Sequence, residues 1–326
     1  GKMLMTQGSD FHVMPGENRS CIGCHEQRKG ITSPSTSGHF PIAMQKGPVR
    51  PELPEWGTRG IIEYEAVVQP VIDKYCVECH SGKKPKGRLD LTGDETTAFN
   101  MSYMQLTDGA YVHFTPGTGV TPAQPNNDYD EQAPLSRGSV LSKLTKYVEN
   151  PKHCKQKIPF EDQLKIFLWI DSNVPFFSHY RQVPPAGLTG KARESLATVH
   201  KKRCAGCHDP RKFMPDEKSG LNKHHISRHP RHVGGLAGQW GVADSGMRVR
   251  HLNLTNPSHS AALLAPLSED AGGWGLCAGD GNPVFKDKGD PDYRAMLDAL
   301  SNGVQRKNGI EVTGVKKLLS NDESEE

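Results

Sequence analysis

The hydrophobic pattern of this chain is helical in short stretches, which are separated by long polar segments. Before residue 76, Val68, Val71 and Tyr75 fall on one face of a helix. Pro70 suits the first turn of that helix, because proline lacks an N–H that a first turn does not use. The pattern therefore predicts an amphipathic helix that runs directly into residue 76.

A second stretch repeats this arrangement before residue 204. Leu196, Val199 and Arg203 take the equivalent places relative to that residue, and Lys202 matches Lys74 in the first stretch. This is a weak internal repeat of about one helix. It predicts two units that are built in the same way.

Three further helices are predicted from the same spacing. They cover residues 139–149 with Leu141, Leu144 and Val148 inward, residues 160–172 with Leu164, Phe167, Leu168 and Ile170 inward, and residues 291–303 with Tyr293, Met296, Leu297 and Leu300 inward. A shorter helix is expected to begin close to His259. The predicted fold class is therefore mainly α, with much irregular coil.

Proline-rich and polar segments divide the chain. Residues 47–60 contain three prolines and predict an extended linker, residues 114–138 form a long polar loop, and residues 183–185 (Val-Pro-Pro) mark a later boundary. The predicted domains are residues 1–60, an N-terminal segment with the linker, then residues 61–185 and residues 186–326.

Composition narrows the function classes. The 326 residues include 34 Gly and 24 Pro, and only 35% are hydrophobic, so a large conventional core is not expected. The net charge is +3, without a basic stripe interleaved with aromatics, which argues against nucleic-acid binding. The sequence contains no run of about 18 apolar residues, so no membrane span is predicted. No signal peptide begins the chain, so the numbering is expected to start on a processed chain or on a fragment.

The strongest chemical signal is a pentapeptide, C-x-x-C-H, that occurs three times. Its cysteines and histidines are Cys21, Cys24 and His25, then Cys76, Cys79 and His80, then Cys204, Cys207 and His208. Composition alone predicts roughly 0.01 such pentapeptides in the chain. In this motif the two thiols form thioethers to the haem vinyl groups and the histidine ligates iron.

Other uses of paired cysteines fit the sequence less well. A thioredoxin-like pair needs a β-α-β context, which the pattern lacks, and zinc knuckles need two pairs at a short separation. The motifs here begin 55 and 128 residues apart. The sequence therefore predicts three covalent haems of the c type, whose porphyrins supply apolar surface that the polypeptide lacks.

Several histidines are candidates for the sixth ligand of each iron. They are His12 or His39 for the first haem, His153 for the second with His113 and His179 as rivals, and His259 for the third with His251 ranked next. A His-dense stretch at residues 224–232 is either a mobile polar loop or a further source of ligands. Methionine at a sixth position stays open.

Two cysteines, Cys154 and Cys277, lie outside the motifs. A disulfide between them, two separate buried thiols, and zinc binding by Cys154 are the alternatives.

Seven short segments carry a resemblance to a known family. They are PGE at 15–17, SCIGCHE at 20–26, QPVIDKYC at 69–76, LDLTGD at 89–94, LWID at 168–171, LNLT at 252–255 and GGWGLC at 272–277. Together they resemble the multihaem cytochrome region of hydrazine synthase alpha-subunit-like proteins. The resemblance implies cytochrome c-like helical haem units with the three motifs as haem sites. In that family a β-propeller normally precedes this region, and the chain has no repeated blade motif.

These observations predict a triheme electron-transfer cytochrome with bis-His, low-spin haems, in which no substrate has to bind. Its partners are redox proteins, and assembly into an extracellular filament or a larger complex is a further expectation. The alternative is a haem subunit of a redox enzyme that acts on small nitrogen compounds, as the resemblance implies. Since c-type haem is attached outside the cytoplasmic membrane, a periplasmic or extracellular location is expected.

Overall fold

Helices account for most of the regular structure in the described residues. The computed structural model describes residues 62–108, 111–113, 138–177, 186–208, 249–279 and 281–306, with Lys2, Pro54, Trp56 and Leu135. The α-helices are α1 (Gln69–Tyr75), α2 (Met101–Asp108), α3 (Lys143–Val148), α4 (Phe160–Asp171), α5 (Gly190–Val199), α6 (Ala205–His208), α7 (Ala261–Leu264) and α8 (Pro291–Asn302). Two π-helical segments, Tyr64–Val68 and His200–Cys204, adjoin α1 and α5.

Strands are short and few in the described part of the chain. β1 (Ala186–Leu188) pairs antiparallel with β4 (Val304–Arg306), with Gly187 opposite Gln305. β2 (Ala278–Gly279) pairs antiparallel with β3 (Asn282–Pro283) in a small hairpin. The first pair joins the start of α5 to the end of α8, so both ends of this segment are held together.

The described residues divide into two compact units. The first contains the described residues up to Val71 together with residues 111–113 and 138–177, and the second contains residues 72–108 with the described residues from 186 to 306. The domain boundaries predicted at 60/61 and 185/186 stay predictions. Both described C-x-x-C-H motifs belong to the second unit.

The core of the first unit lies around Trp169 on α4, which is fully buried. The Tyr64 ring lies 5.0 Å from the Trp169 ring, centroid to centroid, and stacks on Phe176 at 5.7 Å. The indole Nε1 of Trp169 donates to the carbonyl of Pro175 at 3.0 Å. The π-helical segment therefore packs against α4 through contacts between aromatic rings, and the buried indole N–H of Trp169 has a hydrogen-bond partner.

The core of the second unit lies where α8 packs against α5. Tyr293, Met296 and Leu300 are buried on α8, and Leu196 and Val199 are buried on α5. Both helices have side-chain caps: the Thr189 hydroxyl accepts from Ala192 N–H, and the Asp290 carboxylate accepts from Asp292 and Tyr293 N–H. Caps of this kind satisfy first-turn donors and define where each helix begins.

An arginine joins the end of the α5 segment to the start of α8. The guanidinium of Arg203 contacts Asp292 at 3.0 Å and Asp290 at 3.3 Å, and donates to the Val284 carbonyl. It also lies 5.3 Å from the centroid of the Phe285 ring. Hydrogen bonds from Lys202, together with Arg203, lower the pKa of Asp292.

The mainly helical, coil-rich fold class is confirmed in the described residues. The predicted helices at 160–172 and 291–303 are observed as α4 and α8, and the helix near His259 is the short α7. The helix predicted at 139–149 is shorter, because Ser142 has extended backbone torsions that separate a 3₁₀ turn, Gly138–Val140, from α3. Leu141 is therefore exposed rather than inward.

Three further inward positions, on two helices, were predicted imprecisely. Leu164 and Leu168 on α4 are half-buried, whereas Ile166 and Trp169 are fully buried. Leu297 on α8 is half-buried, and Ala299 takes the inward place beside Leu300. The inward face of each helix is therefore rotated slightly from the face that spacing predicts.

Substitution Arg203→Met is expected to lower the free energy of unfolding by about 1 to 2 kcal/mol, because it leaves two carboxylates without their guanidinium partner. Urea titration of the purified protein measures this. Lys202→Met is the matched control: its side chain is 62% exposed, so a loss below about 1 kcal/mol is expected. Equal losses for the two variants would contradict the assignment of Arg203 as the principal link.

Candidate haem-binding sites

The second C-x-x-C-H motif, residues 76–80, continues the helical backbone of α1. Cys76 N–H donates to the Ile72 carbonyl at 2.8 Å, and His80 N–H donates to the Cys76 carbonyl at 3.0 Å. Cysteines three positions apart on a helical turn lie on the same side of that turn. The predicted helix that runs into Cys76 is confirmed, and it presents both thiols together, with His80 directly after them.

The orientation of the second motif is set by the apolar face of the helix that precedes it. Val68, Val71 and Ile72 are buried, so the helix has a fixed rotation about its axis. The π-helical segment ends at Val68, two residues before Pro70, and the Gln69 N–H bonds to Tyr64 O. Pro70 is the second residue of α1, where a missing N–H costs little.

The third motif, residues 204–208, is delivered in the same way. α5 leads into the π-helical segment His200–Cys204 and then into α6, which contains Cys207 and His208. Leu196 and Val199 are buried, as the sequence predicted. Cys204 is half-buried, whereas Cys207 and His208 are exposed.

Both described motifs fit the chemistry of a covalent haem. The cysteines of each pair are thiols and are not bridged to each other, so two sulfurs are present for thioether bonds. Cys76, Cys79 and Cys204 are half-buried and Cys207 is exposed, and a histidine directly follows each pair. Within the described residues, no cluster of three or more His, Cys, Asp or Glu side chains is arranged to hold a metal ion directly.

Cys277 lies near the third motif. Burial raises the pKa of the Cys277 thiol, and the Cys207 thiol adds to that effect. Burial also raises the pKa of Cys204 to about 11, with Cys277 as the next contributor. The two cysteines outside the motifs are therefore in different surroundings, since the Cys154 thiol donates to the Tyr147 carbonyl at 3.4 Å.

The disulfide that the sequence offered as one alternative for Cys154 and Cys277 is wrong for this structure, in which both are free thiols. The alternative of two separate thiols agrees with it. Each sulfur has its own neighbours, a backbone carbonyl for Cys154 and two cysteine thiols for Cys277. Spacing along the chain could not choose between these alternatives, because pairing depends on distance in the folded chain.

A hydrogen-bonded cluster of four side chains joins the segment after the second motif to the segment before α7. It consists of Asp90, Asp94, Asn253 and Asn256, and we call it the lock. Asn253 Nδ2 donates to Asp94 at 2.7 Å and approaches Asp90 at 3.5 Å, and Asn256 Nδ2 donates to Asp94 at 2.8 Å. Asp90 also accepts from the backbone and hydroxyl of Thr92. The pKa of Asp90 is raised, because burial of its carboxylate outweighs these hydrogen bonds.

Sequence reasoning missed this lock, although a signal for it was present. The tetrapeptides Leu-Asp-Leu-Thr at 89–92 and Leu-Asn-Leu-Thr at 252–255 are alike, and the structure places them against each other. Leu254 N–H donates to the Glu95 carbonyl, and Glu95 N–H donates to the Thr255 hydroxyl, both at 2.8 Å. A repeated tetrapeptide that contains one buried polar residue is the pattern that would have indicated it.

The lock also fixes the end of the second motif. Leu91 N–H donates to the carbonyl of His80 at 2.8 Å, and Lys86 N–H donates to the carbonyl of Cys79 at 2.9 Å. The segment between them therefore folds back over the motif. Asp90, next to Leu91 in the chain, holds this return in place through Asn253.

The candidate sixth ligands that the structure describes lie in separate places. His153 is exposed, and its ring lies 4.7 Å from the Tyr147 ring. His113 donates its backbone N–H to Ser142 Oγ. His259 is half-buried in the turn before α7, and His251 ends a 3₁₀ turn, Val249–His251. Their roles as ligands stay predictions.

Other predicted site residues lie outside the described residues. They are Cys21, Cys24 and His25 of the first motif, with His12, His39, His179 and the histidines of residues 224–232.

Comparison with known protein families, with curated proteins and with solved structures finds no significant match to this chain. Among the described residues, no helix has the length and apolar content that crossing a membrane requires.

Asn253→Ala is expected to lower the free energy of unfolding by about 2 to 3 kcal/mol, since it removes the amide that bonds to buried Asp90 and one of the two amides that bond to Asp94. Chemical denaturation measures the change. The matched variant Asn256→Ala removes an amide from the same Asp94 oxygen at an exposed position, so a loss under about 1 kcal/mol is expected. Similar small losses for both would show that the lock contributes little.

Asp90→Asn is expected to change how stability depends on pH. The folded state holds the Asp90 proton more tightly than the unfolded state, where the pKa is near 3.8. The wild-type free energy of unfolding therefore falls as pH rises from about 4 through the folded-state pKa, and this contribution is level above it. The variant should lack this fall in urea titrations across that range.

The control for this experiment is Asp298→Asn, which changes an exposed carboxylate on α8. In this variant the free energy of unfolding should fall with rising pH as it does in the wild type. Superimposable pH profiles for wild type and Asp90→Asn would contradict the role given to burial of this carboxyl.

Proposed function

We propose that the chain is an electron-transfer cytochrome with three covalently attached c-type haems, exported to the periplasm or the cell exterior. The observation that carries the proposal is the threefold C-x-x-C-H motif. The geometry of the two described motifs supports it, because each presents two unbridged thiols and a histidine after a helix that buries one apolar face.

The chain's residues have distinct roles in this proposal. The cysteine pairs Cys76 with Cys79, and Cys204 with Cys207, would anchor the porphyrins, and His80 and His208 would ligate iron. When bound, haem supplies a one-electron couple at its iron and a route for electrons between porphyrins. The buried faces of α1 and α5 orient the anchors, and the Asp90–Asn253 lock holds the chain beside His80.

The placement of the two described motifs supports electron passage between them. Trp274 Nε1 donates to the Lys83 carbonyl at 2.7 Å, and Lys83 lies three residues after His80. Cys277, three residues beyond Trp274, lies near Cys204 and Cys207. Three residues span at most about 11 Å between Cα atoms, so one short segment reaches the surroundings of both motifs.

The first motif, at residues 21–25, lies outside the described residues and provides the third proposed haem site. The proposal also includes assembly into a filament that passes electrons from copy to copy, with redox proteins as the other partners.

A second candidate function rests on the resemblance to the cytochrome region of hydrazine synthase alpha-subunit-like proteins. In that interpretation one haem keeps an open position and the chain is a subunit of an enzyme acting on small nitrogen compounds. EPR and visible spectra separate the two functions. Ferric haems that are all low-spin and unresponsive to carbon monoxide in the reduced state favour electron transfer, whereas a high-spin component favours the enzyme.

The proposal is tested by the intact mass and the pyridine haemochrome spectrum of the protein made in a host that attaches c-type haem. Three covalent haems per chain are expected. The double variant Cys76→Ser with Cys79→Ser should lose one of the three, because both thioether anchors of one site are removed.

Cys154→Ser is the matched control, since it removes a cysteine outside the motifs, and it should keep all three haems. A native mass equal to that of the bare polypeptide would overturn the proposal. Loss of haem from the Cys154→Ser variant would overturn the assignment of anchors.

A further inference from the structure

A short loop beside the second motif concentrates positive charge. Residues 81–88 read Ser-Gly-Lys-Lys-Pro-Lys-Gly-Arg and contain four cations without an acidic residue. The side chains of Lys83, Lys84, Lys86 and Arg88 are all exposed. Among the described residues, none of these four side chains has an ion-pair partner. We call residues 81–88 the basic loop.

The backbone of the basic loop is held in one conformation close to the motif. Lys86 N–H donates to the Cys79 carbonyl at 2.9 Å, and Arg88 N–H donates to the Pro85 carbonyl at 2.9 Å. The Trp274 indole donates to the Lys83 carbonyl at 2.7 Å. These hydrogen bonds fix the backbone positions from which the four charged side chains extend, within a few residues of a proposed haem anchor.

One residue of the loop has an unfavourable backbone conformation. Arg88 has φ 57°, in the left-handed region that disfavours residues with a Cβ. The neighbouring left-handed position is a glycine, Gly87, with φ 64°. Strained non-glycine positions persist where surrounding structure fixes them, and they are frequent at functional sites. Here the strained residue is one of the four cations.

Most acidic side chains around the loop are engaged elsewhere. Asp90 is buried, Asp94 accepts from Asn253 and Asn256, and Glu95 pairs with Arg306. The exposed carboxylates near the loop are Glu78 in the motif itself, and Glu269 and Asp270 on the segment that contacts the loop through Trp274. The four cations of the loop outnumber these three carboxylates by one (4 − 3 = 1).

We propose that the basic loop is the docking surface for the acidic face of a redox partner protein, which exchanges electrons with the chain through the second haem site. The inference rests on the proposed function. Opposite charges near an electron-entry site speed the encounter of two proteins and orient them. In the exchange one electron would leave the reduced partner, which would be oxidised, and would reduce the ferric iron of the haem that Cys76, Cys79 and His80 would hold.

The test uses the haem-loaded protein with flavodoxin, an acidic one-electron donor protein, as the probe. Its dissociation constant is measured by calorimetry with oxidised flavodoxin, and its rate of electron donation by stopped flow with the hydroquinone. The variant reverses all four loop charges: Lys83→Glu, Lys84→Glu, Lys86→Glu and Arg88→Glu. A second variant replaces the same four residues by Gln, which tests neutralisation with less risk to folding.

At about 0.01 M ionic strength, where charges act over about 30 Å, reversal is expected to weaken flavodoxin binding and slow electron donation at least about tenfold. Neutralisation should give an intermediate effect. At about 1 M salt the difference should vanish. Reduction by neutral, photoreduced lumiflavin should be equal in all variants, because it does not depend on docking.

The matched control reverses four exposed lysines of the first unit, Lys143, Lys146, Lys152 and Lys157. It changes the net charge equally and should leave the flavodoxin dissociation constant within about twofold of wild type. An equal weakening in the control would overturn the proposal in favour of a net-charge effect. Binding that is insensitive to loop reversal would overturn it as well.

Two other outcomes also count against docking. A shift in the haem potential and in the lumiflavin rate of the reversed variant would mean that the cations serve the haem propionates of their own chain. A change in the sedimentation of the protein alone would mean that they hold a second copy. Absence of covalent haem in the wild type would instead contradict the proposed function, so the two failures are distinguishable.

Discussion

Burial of a narrow apolar face on two helices is the constraint on which the described sites depend. Val68, Val71 and Ile72 fix the rotation of the helix that ends at residue 76, and Leu196 and Val199 do so before residue 204. A helix whose rotation is fixed also fixes the direction of its last turn. Both described cysteine pairs are therefore placed by hydrophobic burial several residues upstream.

Polar interactions then hold the segments that lie beyond these helices. After the second motif the chain returns through hydrogen bonds from Lys86 and Leu91 to the motif carbonyls, and Asn253 secures the return by binding Asp90 and Asp94. After α5, Arg203 joins the helix end to the start of α8. Buried polar groups are costly unless paired, so each link favours one arrangement of segments that have little regular structure.

The same arrangement explains how a chain with modest hydrophobic content organises two proposed cofactor sites in one unit. The segment from Trp274 to Cys277 reaches the basic loop on one side and the third motif on the other. A covalently held porphyrin would add apolar area where the side chains supply little. The exposed cations of the basic loop follow the second motif within eight residues.

The sequence by itself determined the local features: the helices that end at residues 76 and 204, the helices near 160–171 and 291–302, and the residue types that point to covalent haem. These depend on spacing within a few turns, which a single chain displays directly. The inward face of each helix was predicted only approximately, as Leu164 and Leu297 show, because packing partners decide the final rotation.

Tertiary structure alone decided which distant segments meet. It paired Asp90 with Asn253, placed Cys277 beside the third motif instead of Cys154, and joined residues 72–108 to the unit that contains residues 186–306. Such contacts depend on closing long stretches of chain, whose cost changes only slowly with length. Spacing along the sequence therefore gives no preference among partners, and burial and hydrogen bonding in the folded protein make the choice.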